Sequence, residues 1–297
     1  MTVTTIDATP REARRLTSRL GWRSLAIPLV VFQLLLCFAP QLYFYRLGVA
    51  DNLGPGLFDT SVFTLKNFET IFGDAFYRSV IVKTLQFGAA TVVVCGLIGF
   101  PLAYVISRSD RWRAPLLLIV LTTSFMSVIV KVLGWRILLG DSGPVNDVIR
   151  FVGLSDEPVR LVNNMIGAVI GTAHAILPFV VLLLVPVIDN VPRQLEHAAA
   201  GLGASRLRTI WSVVIPECRA GLIGGALVSF AFAMGSFTTP SLLGGKSTLI
   251  LPVLIRQQVT TTVDYTLAAA LSITLMAIVL SVTVLALRWT RPKQVVR

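Results

Sequence analysis

The chain has 297 residues, of which 55% are hydrophobic and 14% charged, with a mean hydropathy of +0.78. A soluble domain carries roughly 25% charged residues, so the composition excludes an ordinary soluble enzyme or regulator. The net charge of +11 does not point to nucleic acid, because the basic residues form short clusters beside apolar runs rather than one basic face.

Residues 1–23 read as a basic cytoplasmic tail. The apolar run behind them is too long for a secretory signal and lacks a small-residue cleavage site. Six apolar runs follow, at 24–47, 79–107, 114–139, 164–188, 221–243 and 265–287. Each has about 20 residues or more, enough to cross ~30 Å of hydrocarbon at 1.5 Å per residue. They must be helical, since hydrocarbon offers no partner for exposed backbone groups. The expectation is one all-α integral membrane domain of six transmembrane helices over 24–288, with 289–297 as a second cytoplasmic tail. Pro28, Pro101, Pro178 and Pro186 lie in or near the spans, where they free backbone carbonyls and kink helices. Three loops, 48–78, 140–163 and 244–264, contain apolar residues suited to short surface helices.

Charge sets the orientation. With the N-terminus inside, the cytoplasmic segments hold 16 of the 26 Lys and Arg residues but 6 of the 15 acids. Both termini are therefore expected in the cytoplasm, and Tyr43, Phe44 and Tyr45 form an aromatic anchor at the outer end of the first span.

Familiar catalytic patterns fail. Leu243-Gly244-Gly245-Lys246-Ser247-Thr248 resembles the end of a phosphate-binding loop, but Pro240 stands where the pattern needs its first glycine and no strand precedes it. Cys37, Cys95 and Cys218 are isolated, with neither disulfide nor metal-ligand spacing. His174, among Ala173, Ala175 and Ile176, reads as a packed interior residue rather than a ligand. No paired intramembrane carboxylates occur, against a proton pump or intramembrane protease. Gly167–Gly171 and Gly221–Gly225 have the spacing that lets helices approach closely, with packing inside the subunit the plainer reading.

The segment between the fourth and fifth runs carries the most information. Its front half is small and charged, with Arg206 and Arg208, and must face water. Asn190 and Pro192 supply helix-start chemistry. Gly201 and Gly203 end a first short helix, and Ser205 can cap a second through Trp211 to Pro216. Ala198, Ala199 and Ala200 leave a smooth surface for a docking partner.

This segment resembles the EAA loop of the inner-membrane permeases of ATP-binding-cassette importers, E-A-A-x3-G-x9-I-x-L-P. His197-Ala198-Ala199 fall on E-A-A, Gly203 on the glycine, and Val213-Val214-Ile215-Pro216 on the last four positions. The glutamate position holds His197, with Glu196 one residue earlier, an offset of ~100° around a helix. Similarity to spermidine/putrescine-type permeases extends through Phe63-Thr64-Leu65-Lys66-Asn67-Phe68, Gly99-Phe100-Pro101-Leu102-Ala103-Tyr104 and Val130-Lys131-Val132-Leu133-Gly134-Trp135. It continues in Leu139-Gly140-Asp141-Ser142-Gly143-Pro144-Val145-Asn146 and Thr239-Pro240-Ser241-Leu242-Leu243-Gly244-Gly245.

The resemblance implies a fold like that of the methionine-importer permeases in a bacterial inner membrane, without catalysis by this chain. It implies a pathway shared with a second permease subunit and substrate delivered by a periplasmic binding protein. Two cytoplasmic ATPases would bind ATP and Mg and receive the loop at 189–218. Glu196, His197, Ala198, Ala199, Gly203, Ala204, Ser205, Ile215 and Pro216 become the coupling candidates, with no cofactor or metal on this chain. Polyamine uptake is the implied transport. The spans hold no carboxylate well inside for such a cation, and Lys83 and Lys131 instead leave a small anion as an alternative cargo. Ser124, Ser127, Trp135 and Ser236, with both lysines, are pathway candidates or simply helix-to-helix bonds. A membrane enzyme would need an acid–base or metal set that is missing, and a channel would leave the alanine-rich loop unexplained.

Overall fold

A computed structural model describes residues 22–245 and 248–290. The basic residues of 1–21 and 291–297, and Lys246 with Ser247 of the phosphate-loop look-alike, lie outside the described residues.

Helix α1 (Trp22–Gly48) is followed by a hairpin of β1 (Asp51–Gly54) and β2 (Leu57–Asp59), then α2 (Lys66–Gly73) and the long α3 (Ala75–Arg108). Helices α4 (Asp110–Phe125), α5 (Val128–Leu138) and α6 (Pro144–Phe151) lead to α7 (Met165–Asp189). Two short helices come next: α8 (Arg193–Gly201), then α9 (Arg206–Glu217), which loosens into a π turn at Ile210–Val214. Helix α10 (Arg219–Gly235), a π turn at Pro240–Gly244, α11 (Leu251–Gln257) and α12 (Tyr265–Thr290) complete the described chain.

Among the described residues, four helices are long and apolar enough to cross a membrane alone: α1, α3, α7 and α12. The count reaches six if each of two bent pairs is one span: α4 with α5, bent by 102°, and α9 with α10, bent by 78°. The uniform span expected at 114–139 is thus broken. Met126 and Ser127 both take extended ψ values of 134°, which stops the helical ladder although no proline or charge stands between Leu116 and Val130. The span expected at 221–243 also ends early, at Gly235. Ser236 is extended there, and Pro240, without an N–H, opens a π turn.

The short helices α2, α6 and α11 occupy the three loops where surface helices were expected. The hairpin was not expected. Gly54-Pro55-Gly56 is its turn, with φ of 135° at Gly54 and 74° at Gly56, values open to glycine.

Helix α7 is central: 67% of its most apolar stretch is buried inside the molecule, against 0% for α1. Small residues make this possible. A Cβ added at Gly171 would lie 2.5 Å from Leu243 and 2.7 Å from Thr239, and one at Gly221 would lie 2.5 Å from Val187. Both glycine pairs therefore face neighbours within the chain. One buried cluster joins Phe100 and Ile106 of α3 to Val181 and Leu184 of α7 and to Val214 and Cys218. A second joins Phe87, Ala168, Phe230 and Met234.

Candidate coupling site

The loop between α7 and α10 is built by two local devices. The first is the end of α8. The Gly203 amide donates to Ala200 O at 2.9 Å and the Ala204 amide to Ala199 O at 3.0 Å. This is the paired closure of a Schellman motif, which needs a left-handed residue after the helix. Gly203 supplies it with φ of 85°. A Cβ there would meet nothing within 4 Å, so backbone conformation, not space, demands the glycine. The second device starts α9: the Ser205 hydroxyl accepts from the Arg208 amide at 3.4 Å. Pro216 sits in the last turn, beyond the buried Val214.

Electrostatics then fasten α8 to the transmembrane body. Glu196 accepts from Tyr104 Oη at 2.7 Å and from Arg108 Nε at 2.7 Å, and Arg108 Nη2 lies 2.6 Å from the carboxylate. Both charged side chains are only 14–15% exposed. Arg108 also donates to Val191 O at 3.0 Å, so one guanidinium holds both the connection after α7 and the first turn of α8. Charge-assisted bonds in such a partly dry setting are among the stronger ones.

A second pair lies beside it. Asp189 receives a bidentate contact from Arg113, at 3.1 and 2.6 Å, and a bond from the Ser107 hydroxyl. An outer pair, Arg193–Asp110 at 3.4 Å, is exposed and adds little. These contacts tie the ends of α3 and α7 and the starts of α4 and α8 into one assembly.

The one-residue offset at the glutamate position has a clear geometry. Glu196 turns inward to Arg108, while His197 is exposed and lines a small cavity beside Tyr104, Arg108 and Arg206. Ala198 is exposed and Ala199 half-buried, so part of the alanine surface stays uncovered. Ala204 and Ile215 are half-buried, whereas Gly203, Ser205 and Pro216 are exposed.

The pathway candidates do not form one group. Lys131 and Trp135 are one turn apart on α5. Trp135 Nε1 donates to Nδ1 of His174 on α7 at 2.9 Å, so His174 is a hydrogen-bonded interior residue. Lys131 is 4% exposed, and no ion pair reaches it or Lys83 among the described residues. Ser124 bonds back to Val120 O at 3.0 Å. Ser127 is exposed at the break before α5, and Ser236 is half-buried just after α10. Nearby polar groups lack partners: the buried hydroxyls of Thr172, Thr239 and Ser241 have none among the described residues.

Sequence reasoning missed Tyr104, Ser107, Arg108 and Arg113 as partners of the loop. One signal was available. Tyr104 and Arg108 are four residues apart at the end of a span, hence on one helix face, and the loop's acids had to find cations nearby.

Comparison with known proteins agrees with this architecture. The spermidine/putrescine transport system permease protein PotB of Escherichia coli is 32% identical over 215 residues, covering 72% of this chain and 78% of that protein. PotB of Haemophilus influenzae is 28% identical over 211 residues, with 71% and 73% covered. The sulfate transport system permease protein CysW of Synechococcus elongatus is 28% identical over 224 residues, with 73% and 77% covered. Among solved structures, a bacterial alginate ABC transporter in complex with its alginate-bound periplasmic protein has a chain of similar fold. The TM-score is 0.70 at 16% identity, covering 95% of this chain and 97% of that one. The inward-facing MetNI methionine transporter also has one, at a TM-score of 0.52 and 18% identity, with 72% and 96% covered. Residues 96–290 match the binding-protein-dependent transport system inner membrane component family, and the chain belongs to that family as a permease subunit of an ABC importer in the bacterial inner membrane.

Proposed function

We propose that this permease couples ATP hydrolysis on partner subunits to polyamine uptake, through the loop at 189–218. The observation that carries the coupling role is the clamp of Glu196 between Tyr104 and Arg108. A push on α8 is delivered straight to the end of α3, a helix that runs 34 residues through the molecule. Six spans with both termini in the cytoplasm give the loop the side on which ATPases reside. The exposed alanine face of α8 is the docking surface, and a second permease subunit completes the pathway. ATP and Mg stay on the ATPases, and a periplasmic binding protein meets the opposite face. ATP-driven closure of the ATPases shifts the permease pair between two states because docking free energy differs between them.

The polyamine cargo is supported by the 32% identity to a spermidine/putrescine permease. A small-anion cargo has the weaker support of a 28% relationship to a sulfate permease. The described transmembrane helices of this chain carry acids only at helix ends: Asp110, Asp189 and, at the bend between α9 and α10, Glu217. The counter-charges for a polycation therefore come from the second permease subunit or the binding protein, while Trp135 offers a π face.

Two measurements test the reading. Purification of this subunit with its cognate ATPases should bring down a stable complex that fails when Gly203 is replaced by Leu, whose side chain resists φ of 85°. An undiminished complex in that variant would count against the docking assignment. Thermal-shift screening of the cognate binding protein should show stabilisation by spermidine or putrescine, and a response to sulfate or phosphonate alone would sink the polyamine reading.

A further inference from the structure

We infer that this permease holds an anionic phospholipid at the junction of α3 with α8 and α9, acyl chain in an apolar groove and phosphate at Arg206. The groove encloses about 640 Å³ and is lined along α3 from Val93 to Val105 and opposite by Leu207, Trp211, Ile215 and Leu222. The twelve steps of helix from Val93 to Val105 give it a length of about 18 Å at 1.5 Å per residue, most of one lipid tail. Gly96 creates its depth: a Cβ there would meet nothing within 4 Å. Trp211 is 70% exposed at its edge, the position an indole takes at a headgroup boundary.

A second cavity of about 340 Å³ continues from the groove, since Tyr104 and Ile210 line both. Its walls are still mainly apolar, but unlike the groove it carries charged side chains, and Arg206, Arg108 and His197 are among its lining residues. The charge balance selects the headgroup. Glu196, the one acid of this cavity, is already paired with Arg108. The Arg206 guanidinium makes no ion pair or side-chain hydrogen bond among the described residues, which leaves one uncompensated positive charge and the His197 ring facing the space. An apolar slot that opens onto an unpaired guanidinium fits a phosphodiester with its tail, and basic pockets between helices recognise anionic lipids in this way. A helix of the second permease subunit would fill the slot but leave Arg206 unanswered. Bound there, the lipid wedges between the loop and the membrane body. The inference needs the loop end to lie at a headgroup layer, and it does not require the ATPase docking proposed above.

The test uses the assembled transporter, incubated in vesicles of equal phosphatidylglycerol and phosphatidylcholine, re-extracted and weighed by native mass spectrometry. Phosphatidylglycerol should be retained over phosphatidylcholine by about fivefold, the factor for roughly one basic side chain at an anionic surface. Arg206→Gln should abolish that preference. Gly96→Leu, which fills the groove, should lower retention of both lipids. Equal retention of the two lipids by the unsubstituted transporter, or phosphatidylglycerol retention unchanged in Arg206→Gln, would overturn the inference. So would a photo-crosslinker at Leu97 that labels the second permease subunit instead of lipid. The same spectra report ATPase stoichiometry, so a failure of coupling is read separately from a failure of lipid binding.

Discussion

The two ends of α7 treat polar groups in opposite ways. At its loop end, Asp189 is held by Arg113 and Ser107, and Glu196 nearby is enclosed by Arg108 and Tyr104. Toward the other end, Thr172 on α7, with Thr239 and Ser241 at the start of the facing π turn, bury hydroxyls that have no partner among the described residues, and Lys131 is buried with no counter-ion among them. Paired charges fix one arrangement. Unpaired buried groups leave free energy unspent in this conformation, and they become satisfied only if something else arrives or the packing changes. The loop end is fixed by paired charges, whereas the opposite end keeps buried polar groups that only a new partner or a new packing would satisfy.

The sharpest way to break this contrast is Glu196→Ala. It leaves Arg108 partly buried without its carboxylate, at a cost of about 3 kcal/mol, and should release α8 from α3. Hydrogen exchange over 193–205 should rise sharply, and ATPase co-purification should fall. Protection equal to the unsubstituted protein would show that apolar packing alone holds the loop. Lys131→Met should move stability the other way, raising the thermal midpoint by the equivalent of about 2 kcal/mol, because a buried ammonium gives way to an apolar chain of similar length. If the midpoint falls instead, Lys131 has a partner that this conformation does not display. Loss of uptake in a more stable Lys131→Met protein would place the lysine in transport.

Smaller effects should follow at the flanks. Asp189→Asn weakens a bidentate pair that is partly open to solvent, so about 1 kcal/mol is expected, read as a modest drop in melting temperature with the ATPase complex retained. Thr172→Val removes an unpartnered hydroxyl at nearly constant shape and should be neutral or stabilising by about 0.5 kcal/mol. A loss beyond 1 kcal/mol, measured by urea or thermal unfolding, would mean that the hydroxyl is bonded after all.

The apolar runs were legible because hydrocarbon imposes a length and a helical backbone on any segment that crosses it. The end of α8 was legible for a comparable reason: Gly203 sits where only a left-handed residue closes the helix. Other features left no such mark. The break at Met126 and Ser127 has no proline or charge beside it, and the hydroxyl residues Thr122, Thr123, Ser124 and Ser127 around it are uncharged enough to read as part of a span. The Arg108–Glu196 pair spans 88 residues and depends on the relative height of two helix ends, which periodicity along one helix does not encode. The hairpin was hinted at by Gly54-Pro55-Gly56, a strong turn signal, but strands of three and four residues carry too little alternation to be read.

The bond from Tyr45 to Met276, 2.7 Å across 231 residues, joins the first described helix to the last. During synthesis, at ~5–20 residues per second, α1 would wait about 10–50 s before the helix it packs against has been made. It must survive that interval with lipid as its company, and its most apolar stretch, of which no residue is buried even in the finished subunit, equips it to do so. The nascent chain can thus park α1 in the bilayer and assemble α3, α7 and α10 beside it, with α12 arriving later to pack against it.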